Sequence, residues 1–292
     1  MIRFVDITLN GITYGMVYAA VAMALVLIWR ATRVVNFAQG AMAMFSTYVA
    51  VTVIEHGANY LEALLVALAF GFVSGAVVER VLVRPVENKP PLNAVIVTLG
   101  LLILVEAGAA MIWGDSVRSY PAHFSRTGIK LGSERVALSP FDLYVIAAVV
   151  AVMVLLVVLF RFTSLGLRMR ASAFEPEVAR LLGIRVGRML TLGWALAAMV
   201  GALAGVLVAP NVFLDPNNMD NVLVYAFTAA IVGGLDSPVG ALVGGLGMGL
   251  GLSYVGGYLG YSLETVGAFV ILIGVLMIRP EGIFTTTTPR RV

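Results

Sequence analysis

Few side chains in this 292-residue sequence could do chemistry, and those few sit at the ends or within long apolar runs. Asn36 and Gln39 open one run, Asn93 and Thr98 lie early in another with Glu106 deeper inside it, and Asp236 interrupts a third. A polar or ionised group surrounded by hydrocarbon is costly unless it is satisfied, so such groups mark either contacts between helices or a route for polar cargo. Asn36 and Gln39 suit helix capping and interhelical hydrogen bonding as well as they suit contact with a substrate. An unpaired carboxylate at Glu106 would be expensive; it must be neutral, paired or turned to water, which fits a helix interface or a gate. Asp236 lies in Gly233-Gly234-Leu235-Asp236-Ser237-Pro238 and suits the organisation of a turn.

Other chemistries are excluded. The chain has no cysteine, so it has no disulfide, thiolate metal site or cysteine nucleophile. Its two histidines, His56 and His123, fall in separate predicted loops without the spacing of a metal site. A phosphate-binding loop needs a Gly-Lys pair, but Lys89 follows Asn88 and Lys130 follows Ile129, so any nucleotide hydrolysis must come from another chain. No nucleophile, base and orienting group form a constellation, so the chain reads as a non-catalytic subunit without cofactor or metal.

The elements that must position these residues are helices in a membrane. Hydrophobic residues make up 60% of the chain and charged ones 12%, with mean hydropathy +0.99, outside the range of soluble domains. Apolar spans run near 7–29, 34–54, 60–83, 93–113, 141–160, 189–209, 221–256 and 261–279. The fold class is all-α, a polytopic transmembrane helix bundle of about eight segments forming one domain over 1–292. The run 221–256 contains the Gly233–Pro238 break and is expected to be a broken or re-entrant pair of helices. The first run is too long for a signal-peptide core and reads as a retained helix.

Basic residues divide unequally between alternate loops. Arg30, Arg33, Arg80, Arg84, Lys89, Arg161, Arg168, Arg170, Arg180, Arg185, Arg188, Arg279, Arg290 and Arg291 fall in one set; Arg3, Arg118, Arg126, Lys130 and Arg135 fall in the other. The richer set belongs in the cytoplasm, which places the N-terminus outside and both the 161–188 loop and the C-terminus inside. The net charge of +3 therefore speaks of topology, and no nucleic-acid partner is implied. Glycines recur at spacings of four, as Gly11 and Gly15, Gly71 and Gly75, Gly201 and Gly205, Gly240 and Gly244, and Gly245 and Gly249. Such pairs let helices approach closely, within this chain or across a dimer face.

The cytoplasmic loop holds a short amphipathic helix. Pro176 suits a first turn, Glu175 and Glu177 suit its positive end, and Gly183 terminates it. Val178, Leu181 and Leu182 share one face, which can enter a groove on another protein or rest on the bilayer.

In this loop and along most of its length the sequence resembles the permease subunit of the branched-chain amino acid ABC importers. The resemblance rests on Leu9-Asn10-Gly11, Val35 to Gly40, Arg84-Pro85, Pro90 to Leu92, Thr98-Leu99-Gly100, Gly233 to Leu235 with Ser237 to Ala241, and Arg279 to Phe284. The general importer pattern of Glu-Ala-Ala, three residues, then Gly stands here as Glu177-Val178-Ala179 and Gly183; valine replaces the middle alanine and the more distal Ile-x-Leu-Pro part is absent. The resemblance implies an ATPase-coupling loop with Gly166, Arg170, Glu175, Glu177, Ala179, Leu182, Gly183 and Ile184. It implies two cytoplasmic ATPase subunits, a homologous second permease or second copy, and a periplasmic substrate-binding protein, all working at a bacterial cytoplasmic (inner) membrane. Leucine, isoleucine and valine are the expected cargo, with other amino acids, urea, amides and small carboxylates open. The alternative is a self-contained channel or ion-coupled carrier, which would place several ionisable groups at mid-membrane and break helices in both halves of a repeat.

Overall fold

The computed structural model describes residues 2–87, 89–131, 134–279 and 282–284. Pro280 and Glu281 of the last motif, and Arg290 and Arg291 of the charge pattern, lie outside the described residues.

A backbone in lipid must satisfy its own polar groups, so each apolar run becomes a helix. The order is α1 (Ile2–Thr32), α2 (Gln39–Glu55), α3 (Tyr60–Val78), α4 (Pro91–Trp113), α5 (Pro140–Phe162), α6 (Ser164–Phe174), α7 (Pro176–Leu181), α8 (Val186–Val212), α9 (Asp220–Gly233), α10 (Pro238–Tyr258) and α11 (Glu264–Ile278). Local sequence sets the starts. Asn59 with Glu62, and Ser139 with Asp142, form reciprocal caps; Thr163 and Ser237 cap α6 and α10; and proline occupies the first turn of α4, α5, α7 and α10. α3 continues through a π-turn, Glu79–Val83, and a 3₁₀ turn, Arg84–Val86.

Among the described residues, seven helices are long and apolar enough to cross a membrane. α1 and α8 form the centre, with 89% and 83% of their apolar windows buried, whereas α4 has 17% and the last span 6%. The glycine pairs are used inside this one chain. Gly15 and Gly249 meet where α1 crosses α10, Gly71 and Gly75 lie on Ala198, Ala202 and Trp194 of α8, Gly201 and Gly205 face α2, and Gly240 and Gly244 face α9. A side chain at Gly75 would stand 2.6 Å from both the Ala198 Cβ and the Trp194 carbonyl, so these helices could not pack as they do with any larger residue.

One run is organised differently from the sequence expectation. The 34–54 run is helical only from Gln39, because residues 34–38 turn back from the end of α1 into the bundle. Gln39 Nε2 donates to the Ala197 carbonyl at 3.1 Å, about 16 Å along α8, so α2 begins well inside the bundle. The 221–256 run is the expected broken pair, α9 and α10, packed glycine-tight on each other and joined by a turn at 234–237 that lies beside the end of α1. Ile283 and Phe284 donate from their backbone N–H groups to Val232 and Gly233, covering that turn.

The bundle has two dissimilar ends. One carries Arg33, Arg84, Arg170 and the 234–237 turn. At the other, Arg3 donates to the Gly257 carbonyl at 2.5 Å, Asp6 accepts from the Ala137 N–H at 2.8 Å, and Arg118 bridges Leu214 through the backbone.

Candidate functional site: embedded carboxylates and a docking helix

The 161–188 segment folds as two helices where one was expected. α5 turns sharply into α6 because the Thr163 hydroxyl accepts the Gly166 N–H at 3.1 Å and because a Cβ at Gly166 would run into the backbone of Leu159 and Phe160. Glu175 then precedes α7, with Pro176 in its first turn. α7 ends in a Schellman motif: Gly183 at φ +79° donates to Arg180, and Ile184 donates to Ala179 at 2.9 Å. Ala179 is buried against Val186 and Leu190 of α8, with Ile184 beside them. That anchor turns the opposite face outward, leaving Val178, Leu181 and Leu182 exposed by 49%, 87% and 75%. Glu175 and Glu177 are exposed beside it.

Arg170 and Asp236, singled out for separate reasons, line one cavity of about 900 Å³. Arg30, Arg33, Phe174 and Phe284 also line it, between α6 and the 234–237 turn. Arg33 pairs with Asp236 at 2.5 Å, both side chains about half exposed, so Asp236 belongs to this end of the bundle and not to its middle.

Asn36 and Gln39 are fully buried and bonded. Asn36 Oδ1 accepts the Ala38 N–H, its amide donates to Gln39 Oε1 at 3.1 Å, and Gln39 reaches α8. They lock the start of α2 in place. Thr98 is buried and donates to the Val95 carbonyl at 3.0 Å, while Asn93 lies half-buried in the first turn of α4.

Glu106 is placed otherwise. The segment 213–219 re-enters from the end opposite the arginines, and α9 starts where α2 starts: Gly40 packs on Met219 and Leu223, and the Phe37 and Phe227 rings are 6.0 Å apart. Asp220, in the first turn of α9, stands beside half-buried Glu106 of α4 and is itself exposed. Neither carboxyl joins the three salt bridges found among the described residues. In a membrane such a pair must face water or another protein rather than lipid.

Sequence reasoning missed three groups. Asp220 sat at a span boundary and gave no signal. Arg118 ties three elements together, donating to Glu55 of α2 at 3.2 Å and to the Trp113 carbonyl of α4 at 2.8 Å while its backbone bridges Leu214. Glu79 is buried at the base of α3 and takes a two-point contact from Arg84, at 3.1 and 3.0 Å.

The family described as "Branched-chain amino acid transport system / permease component" matches residues 7–279. The chain belongs to that family. It is 29% identical to the high-affinity branched-chain amino acid transport system permease protein LivH of Salmonella typhimurium (strain LT2), covering 96% of this chain and 95% of that one. It is 26% identical to the corresponding protein BraD of Pseudomonas aeruginosa, covering 94% and 93%. A solved structure, PsaBC from Streptococcus pneumoniae in complex with Fab, shares the fold at TM-score 0.50 and 13% identity, covering 94% of this chain and 91% of that chain.

Proposed function

We propose that this family member is the permease half of an ATP-driven importer for branched-chain or similar small amino acids. The observation that carries the reading is α7, which presents Val178, Leu181 and Leu182 outward while Ala179 holds it on α8. A helix so anchored is built to be gripped by another protein, and in a family of transport permeases lacking a nucleotide site the gripping protein is the ATPase. Two ATPase subunits dock at the arginine-rich end, which faces the cytoplasm as the positive-inside rule requires. Glu177, Gly183 and Ile184 shape the docked helix, and Gly166, Arg170, Glu175 and Leu182 position or flank it.

The N-terminus and the 114–139 segment then face outside, where a substrate-binding protein delivers cargo. The face of α4 and α9 that carries Glu106 and Asp220 lines the path, and a homologous permease or second copy completes it. A substrate ammonium group passing two carboxylates without a cationic partner is attracted to them. Branched-chain amino acids are the cargo that the LivH and BraD likeness supports.

The paired helix starts of α2 and α9 also suit a gradient-driven carrier, whose sites form at broken helices. Liposomes separate the two readings. The importer reading expects no leucine uptake by this chain alone and ATP-dependent uptake once ATPases, partner permease and binding protein are added. Uptake by the lone chain, driven by a proton or sodium gradient, overturns it.

A further inference from the structure

The base of α3 holds a charge cluster that the proposed function does not use. Glu79 is 1% exposed, and Arg84, five residues on, reaches it with Nε and Nη2 because the π-turn Glu79–Val83 adds a residue to the helical turn. The same Nη2 lies 2.7 Å from the Gly187 carbonyl and 2.7 Å from the Thr191 hydroxyl, both in the first turns of α8. Thr191 Oγ1 in turn lies 2.7 Å from Glu79 Oε2. Two-point guanidinium contacts of this kind fix orientation as well as distance.

The position of the cluster matters more than its strength. Upstream, Ala179 of α7 packs on Val186 and Leu190, which flank Gly187. Downstream, Arg84 stands in the short connection from α3 to Pro91, where α4 begins. α4 is among the least buried spans and carries Glu106. A helix with so little packing follows whatever holds its base.

We infer that Glu79, Arg84 and Thr191 are positioning residues for coupling, forming a strut through which displacement of α7 reaches α4 and the face bearing Glu106. The inference rests on the importer reading. It makes α7, the start of α8 and the base of α4 one mechanical unit.

The test uses the complete importer reconstituted in liposomes, with Arg84→Lys, which keeps charge but loses the two-point contact, and Thr191→Val, which keeps shape but loses the hydroxyl. Because the chain has no cysteine, spin labels at Val178→Cys on α7 and Leu104→Cys on α4, each in turn paired with Val243→Cys on α10, which lies outside the strut, report their movements separately by pulsed electron resonance. The expected result is that amino acid moved per ATP hydrolysed falls by about threefold or more in Arg84→Lys, and less in Thr191→Val. ATP hydrolysis and the ATP-dependent shift of α7 persist, while the shift of α4 shrinks. If Arg84→Lys does not assemble, Thr191→Val alone decides. Unchanged transport per ATP with an unchanged α4 shift in the assembled variants overturns the strut. A wild-type complex without ATP-driven uptake overturns the importer reading instead.

Discussion

Glu79 and Glu106 are both glutamates in membrane-spanning helices, yet the bundle treats them oppositely. Glu79 is enclosed and answered by Arg84 and Thr191; Glu106 is half-open and meets a second carboxyl, Asp220. The first arrangement spends a charge on holding helices together, since a buried ion that loses its partner is strongly destabilising. The second leaves charge unanswered where the chain surface opens, which is useful only if something polar passes there. An acidic residue in an apolar run therefore says little until its neighbours are known.

The contrast is breakable. Glu79→Ala removes the carboxylate partner of Arg84, leaving it the Gly187 carbonyl and Thr191 hydroxyl, and should cost about 2–3 kcal/mol, read as loss of the monodisperse protein in detergent and a fall in thermal midpoint. Glu106→Gln should stay within about 1 kcal/mol of wild type while cutting uptake by the assembled importer severalfold. Equal loss of stability in both variants would erase the distinction. Overpacking at Gly75→Leu, between α3 and α8, should cost about 1–3 kcal/mol and disturb the strut through its helices. On α7, Gly183→Val forces a branched residue to φ +79° at a cost of about 1–2 kcal/mol. It should reduce ATPase co-purification, as should Glu177→Lys, with the bundle still folded. The smallest effect belongs to Arg33→Gln: its partner Asp236 is about half exposed, so the pair should contribute under about 1 kcal/mol, checked by the same thermal midpoint.

Much of this architecture is legible in the sequence, for physical reasons. Apolar runs mark helices because lipid permits little else, and Pro176 and Gly183 delimit α7 because each is tied to one end of a helix. What escapes is what depends on distant partners. The start of α2 is set by Gln39 gripping Ala197, and residues 34–38 read as helix when that contact is unknown. Asp220 gains meaning only when 213–219 re-enters the bundle and brings it to Glu106. Glu79 and Arg84 are five apart, a spacing that points to opposite sides of an α-helix and converges only in a π-turn. α6 escaped because its buried positions are Gly166, Met169 and Ser172 while Leu167 and Phe174 point outward, so no apolar stripe announced it.

The deep burial of α1 bears on how the protein is made. α1 leaves the ribosome before the other described helices and is the most completely enclosed of the described spans, and its glycine face waits for Gly245 and Gly249 of α10. Until then α1 must reside in the bilayer with a seam of small residues open to lipid. Biogenesis is thus completed from the C-terminal side, and a ribosome that stops short of α10 leaves behind a helix that is inserted but has no interior to occupy.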